Sequence, residues 1–146
     1  MFDIEIEKQI KAPAGAVFAY LADFANNPEW QSSVISTVWT SEPPIRVGST
    51  YRQTIDYRDQ TTTYEVTSLQ PGRSITVQSG AEAEIPTEVT RTVEAIAEKS
   101  CVVRVRLVGR PRGWRRAIQR TIIGTIRRSL DLDYITLQRR FERAED

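Results

Sequence analysis

The sequence predicts an α+β fold in which a curved antiparallel sheet of about seven strands wraps around one long C-terminal helix. Three observations carry that prediction. Residues 2–11, FDIEIEKQIK, alternate apolar and polar side chains with the two-residue period of a strand. Further strand-like runs follow between residues 34 and 109, joined by connections too short for crossover helices, so the sheet is an antiparallel meander. From 114 to 143 the period changes. Ile118, Ile122, Ile126, Leu130, Tyr134, Leu137 and Phe141 recur at steps of three and four, which puts them on one stripe of a long helix.

Each element has a local reason. Phe2, Ile4, Ile6 and Ile10 form the apolar face of the first strand. Pro13 suits the first turn of a helix, where its missing N–H costs nothing, and Ala16, Val17, Phe18, Tyr20 and Leu21 continue it. Asn26-Asn27-Pro28 ends that helix, because the residue before a proline avoids the α region. A second short helix or turn around 24–30 then delivers Trp30 inward. Strands are expected near 34–41, 49–59, 61–70, 74–82, 87–98 and 101–109. Turn signals separate them at Pro43-Pro44 and Gly48, Arg58-Asp59-Gln60, Pro71-Gly72, Pro86 and Glu98-Lys99-Ser100. Pro111 and Gly113 mark entry to the long helix. A sheet of this many strands curls by its own twist, and the helix buries its stripe against the concave face. Two short helices after the first strand plug one end, which leaves a cavity between sheet and helix.

Composition narrows the chemistry. The 146 residues are 40% hydrophobic and 27% charged, the balance of an ordinary globular chain, and one domain over 1–146 is expected. No apolar run approaches the roughly 20 residues that span a bilayer, and the N-terminus has no signal-peptide core. Cys101 is the lone cysteine, so no intrachain disulfide forms. Within CVV it reads as a small buried hydrophobe, and a cytoplasmic location is expected. The chain has no histidine, which removes the usual general base, the usual metal ligand and any Ser-His-Asp arrangement. Neither a metal nor a cofactor is expected. Charge is uneven: residues 1–100 carry 8 basic and 14 acidic side chains, residues 101–146 carry 12 and 5. Seven arginines and no acid fall between Arg110 and Arg128. Such a block is either a solvated helix face or a surface for phosphate or anionic lipid.

Ala12-Pro13, Val17-Phe18, Leu21, Asp23 and Pro28-Glu29-Trp30 stand in a recurring order after the first strand. Val47-Gly48-Ser49 before a strand, Val66 with Leu69 and Pro71, and the amphipathic terminal helix continue it. On these residues the chain resembles the START-like (SRPBCC) helix-grip superfamily, in particular its polyketide cyclase/dehydrase and lipid-transport-like members. The resemblance covers essentially the whole chain. It implies an apolar small molecule held between sheet and helix. The superfamily hosts carriers, cyclases, hydrolases and stress-related binders, so fold alone does not select among them.

Strand parity picks the cavity candidates. Tyr51, Gln53, Ile55 and Tyr57 share one face, with Arg52, Thr54, Asp56 and Arg58 opposite. Tyr64 and Val66, Ile75 and Val77, and Val103, Val105 and Leu107 face in, while Arg104 and Arg106 face solvent. In 87–98 the apolar face holds Val89, Arg91, Val93, Ala95 and Ala97, and Arg91 is the anomaly. A buried unpaired guanidinium is costly, which leaves three readings. Arg91 snorkels to water from a strand end, pairs with a protein carboxylate such as Glu84 or Glu29, or anchors a polar or anionic ligand group.

The ligand-binding candidates are Trp30, Tyr51, Gln53, Ile55, Tyr57, Tyr64, Arg91, Val93, Ile118, Ile122 and Ile126. Against this, the tyrosines and Trp30 also read as core aromatics, and Asp23 as a cap for the following turn. Glu29 could reach the cavity mouth. Gly124 inside the long helix reads as a close approach to the sheet or as room for a ligand. The expected function is binding, transport or sequestration of a small hydrophobic molecule by a monomer or homodimer. The alternative is a cyclase/dehydratase acting on an aromatic or polyketide-type substrate. A third reading uses the arginine-rich helix on a membrane or nucleic acid, although few aromatics interleave its arginines for base stacking.

Overall fold

A computed structural model describes residues 1–113, 117 and 119–145. The N-terminal alternation becomes β1 (Phe2–Ile10), whose burial alternates as the sequence pattern demands. Then come α1 (Ala14–Ala22) and a 3-10 helix (Phe24–Glu29). Six strands follow: β2 (Val34–Trp39), β3 (Thr50–Ile55), β4 (Thr61–Gln70), β5 (Ser74–Ser79), β6 (Thr87–Ala97) and β7 (Ser100–Gly109). The long helix α2 runs Gln119–Glu145. Ile118 and the arginines at 115 and 116 lie outside the described residues.

All seven strands form one antiparallel sheet in the order β1-β7-β6-β5-β4-β3-β2. From β2 to β7 each strand pairs with the next, as short connections require. The exception is the step from β1 to β2, which carries the chain from one sheet edge to the other. The segment with α1 and the 3-10 helix makes that crossing, and α1 packs on β6 on the way. Inward residues Val66, Ile75, Val77, Val93, Val103 and Val105 join Val17, Leu21, Phe24, Tyr134 and Leu137 in one core. On the outer face Arg106 pairs with Asp3, and Arg104 with Glu7 and Glu94.

Some sequence expectations fail locally. The strand expected over 49–59 stops at Ile55, and Tyr57 sits in a short 3-10 turn, 54% exposed. Arg58 and Asp59 adopt positive φ there (56° and 49°), which reverses the chain toward β4 and takes Tyr57 out of the strand alternation. Ala95 and Ala97 are exposed rather than inward; they lie at the far end of β6, and the β6–β7 register shifts after Ala95. Gly124 is exposed, and a methyl group added there would meet nothing within 4 Å, so close helix–sheet approach does not explain it.

The two halves of α2 differ. The C-terminal half is tied down: Lys8 pairs with Asp131 at 2.8 Å, and Gln138 Nε2 donates to the Gln9 carbonyl at 2.6 Å. Arg140 pairs with Glu29 at 2.8 Å, and Leu137 is fully buried. Along α2 as far as Leu130, no described side chain is fully buried; Ile122, Ile126 and Leu130 are half-buried. That half of the helix stands over a cavity, with Ile126 and Leu130 touching the edge of the core but not enclosed by it.

Candidate functional site

The space under α2 forms two cavities. The outer one, about 670 Å³, lies between Ile122, Ile126 and Leu130 of the helix and Ile55, Tyr57 and Tyr64 of the sheet side. The inner one, about 220 Å³, reaches the sheet at Tyr51, Val89, Arg91, Val105 and Leu107, with Phe24 and Tyr134 above. Gln31, Gln53, Tyr64, Thr87 and Leu130 line both.

Arg91 dominates the inner cavity. Its strand position is central, opposite Ile75 on β5 and Val105 on β7, and it is 2% exposed. Snorkelling is therefore overturned: the residue is not at a strand end and does not reach water. Pairing with a carboxylate is overturned as well. Among the described residues Arg91 makes no ion pair, and it donates to two neutral oxygens. Nη1 donates to the Leu21 carbonyl at 2.8 Å and Nη2 to Asn27 Oδ1 at 3.0 Å. The guanidinium lies 4.0 Å from the Phe24 ring centre and 5.1 Å from that of Trp30. Glu29 is instead outside, held by Arg140 and accepting from the Tyr20 hydroxyl.

Asn27 extends the network. Its Nδ2 donates to Gln53 Oε1 at 2.8 Å, which also accepts from Thr37 Oγ1 at 3.0 Å. Asp23 caps the 3-10 helix by accepting from the Ala25 N–H and also holds Trp39 Nε1 at 2.7 Å, so this segment is fixed over the sheet end. The aromatic wall is ordered too: Tyr64 stacks on Tyr51 at 5.1 Å and Tyr51 on Phe24 at 4.9 Å. Burial pushes the hydroxyls of Tyr51, Tyr64 and Tyr134 above the ordinary tyrosine range, opposed at Tyr51 by the positive charge of Arg91, at Tyr134 by that charge and by the nearby Arg91 N–H groups, and at Tyr64 by the Thr87 side chain. At neutral pH all three are protonated.

Asp133 is a buried carboxylate on the wall of the outer cavity. Its Oδ1 accepts from both the N–H and the hydroxyl of Ser32, each at 3.1 Å. Burial lifts its pKa above the ordinary aspartate value near 3.8, while the two Ser32 hydrogen bonds pull it back. A carboxyl with a raised folded pKa weakens the fold as it ionises. The cost is absent below the unfolded value near 3.8, grows as pH rises toward the folded value, and is complete above it. Asp133→Asn keeps an oxygen for Ser32 and removes the charge. We expect it to melt higher than the parent at pH 7, with the gain vanishing in acid, as thermal unfolding across pH would show. An equal loss of stability at every pH would mean that the amide disrupts packing instead.

Of the sequence candidates, Gln53, Ile55, Tyr57, Tyr64, Ile122 and Ile126 line the outer cavity, and Tyr51, Gln53, Tyr64 and Arg91 the inner one. Trp30 and Val93 are core residues that line neither, and Ile118 is outside the described residues. Sequence reasoning missed Asn27, seen only as a helix breaker, and Asp133. The second left a signal: an acid three residues after Leu130 and seven after Ile126 falls on the apolar stripe. Arg110, Arg112, Arg120, Arg127 and Arg128 are exposed. Among the described residues, no cluster of His, Cys, Asp or Glu could hold a metal, and no helix is long and apolar enough to cross a membrane.

A family model described as polyketide cyclase/dehydrase and lipid transport matches residues 1–133. No curated protein matches the sequence. Among solved structures, the di-domain aromatase/cyclase BexL is similar at 18% identity and TM-score 0.70, covering 95% of this chain and 46% of that one. The chain thus spans about half of that protein. The Zhui aromatase/cyclase from a Streptomyces species gives 16% identity and TM-score 0.75, covering 99% and 96%. A START superfamily protein from Mycobacterium smegmatis gives 13% identity and TM-score 0.73, covering 97% and 98%. At these identities the likeness establishes the helix-grip fold.

Proposed function

Because the chain belongs to the polyketide cyclase/dehydrase and lipid transport family, we propose that it binds a small hydrophobic molecule between the sheet and α2. The observation that carries this is the 670 Å³ cavity under a helix half whose apolar side chains are only half-buried. Ile122, Ile126 and Leu130 form an apolar stripe, yet the core covers them only in part. A ligand burying a few hundred Å² there gains several kcal/mol at about 25 cal/mol per Å², before ordering costs. Gln53, Tyr64 and Arg91 would orient its polar groups.

Native mass spectrometry of freshly purified protein is the first test, with a co-purifying small molecule expected. Nile red, an uncharged dye, supplies the second. Ile126→Trp fills the outer cavity and should weaken Nile red binding at least about 10-fold, equivalent to about 1.4 kcal/mol. Equal binding by parent and variant, together with a clean apo mass, would sink the proposal.

Asp133 favours a second reading. A cyclase or dehydratase needs a group to move a proton, and here a buried carboxyl faces the outer cavity while Arg91 and the tyrosine hydroxyls can polarise a carbonyl. The Zhui and BexL proteins are aromatase/cyclases. For this chain the reading requires turnover of an aromatic polyketide-type substrate that Asp133→Asn abolishes while binding persists.

A further inference from the structure

Among the described residues, three buried side-chain polar atoms have no hydrogen-bond partner: Trp30 Nε1, Arg91 Nε and the Tyr134 hydroxyl. They are neighbours. Arg91 lies 5.1 Å from the Trp30 ring centre, and the Trp30 and Tyr134 rings meet edge-on at 4.9 Å. Each of the three carries a hydrogen to donate. Two of the residues, Arg91 and Tyr134, line the inner cavity and are 2% and 1% exposed.

The charge is as unbalanced as the hydrogen bonding. Arg91 and Asp133 are the only fully buried charged side chains among the described residues, and Asp133 lines the outer cavity alone, bonded to Ser32. Leu21 and Asn27 give Arg91 neutral acceptors, which satisfy two N–H groups and leave the positive charge in place. A buried cation without a counter-charge is strongly unfavourable. A ligand carbonyl would take up a donor but not the charge. A phosphate monoester brings roughly two negative charges at neutral pH against one guanidinium. A carboxylate brings one charge and two acceptor-only oxygens, which matches a single guanidinium beside a hydroxyl.

We propose that the ligand is an apolar monocarboxylate whose carboxylate enters first and meets Arg91 and Tyr134 in the inner cavity, with its hydrocarbon or aromatic body in the outer one. This rests on the ligand-binding reading above and adds the chemical class and the orientation.

The test is calorimetric titration of the whole protein with dodecanoate, dodecanol and dodecyl phosphate, each kept below its micelle concentration. One charge-assisted contact predicts that dodecanoate binds about 10- to 100-fold tighter than dodecanol. Arg91→Gln should bring dodecanoate down to the level of dodecanol. If that variant does not fold, Tyr134→Phe decides, since it removes one hydroxyl and keeps the ring; a several-fold fall in the carboxylate-to-alcohol ratio is expected, and an unchanged ratio overturns the proposal. Equal binding of acid and alcohol by the parent overturns the carboxylate and leaves the apolar site standing. Tighter binding of dodecyl phosphate overturns it in favour of a phosphate head. Binding of none of the three removes the ligand-binding reading and this proposal together.

Discussion

Replacing Trp30 with alanine is expected to cost about 3–5 kcal/mol of folding stability, the range for deleting a fully buried large aromatic. The indole is 3% exposed, meets the Tyr134 ring edge-on at 4.9 Å and lies beside the Arg91 guanidinium. It joins the 3-10 helix to α2 across the top of the inner cavity without lining it. Truncation therefore opens a void between two elements that are already held apart by the cavities. Urea unfolding measures the loss. A cost below about 1 kcal/mol combined with a large fall in ligand affinity would reverse the assignment and make Trp30 a wall of the ligand site.

Asn27→Leu should be nearly as damaging, at about 3 kcal/mol, although the two side chains are similar in size. Asn27 Oδ1 is one of two acceptors for a buried guanidinium, and its Nδ2 is a donor to Gln53. Leucine removes both at once. It leaves Arg91, among the described residues, with the Leu21 carbonyl as its one remaining hydrogen-bond partner and Gln53 with Thr37. Much of the loss comes from leaving a buried charge less solvated rather than from the bond itself. The double variant Asn27→Leu with Arg91→Leu distinguishes the two: once the charge is gone, the Asn27 substitution should cost much less. Purely additive losses in that cycle would place the damage in packing instead.

These two residues also mark how far the sequence can be read. The period-two alternation of β1 and the three-and-four spacing of α2 are properties of neighbouring residues, so the elements and their inward faces were legible. Short connections required consecutive strands to pair, which gave the meander from β2 to β7. Tyr57 was misplaced because its strand ends four residues early, at a turn that needs positive φ without a glycine to announce it. Arg91 was visible as a charge on an apolar face, but its partners were not.

Local periodicity and the need to bury apolar surface were enough to give the strands, the long helix, their apolar faces and the cavity between sheet and helix. That Arg91 meets a carbonyl and an amide from the crossing segment, and that Asp133 faces the outer cavity, follows from long-range packing. Hydrogen bonds extend only about 3 Å, so their partners depend on how segments 64 and 101 residues apart come to rest against one another, as Asn27 does on Arg91 and Ser32 on Asp133.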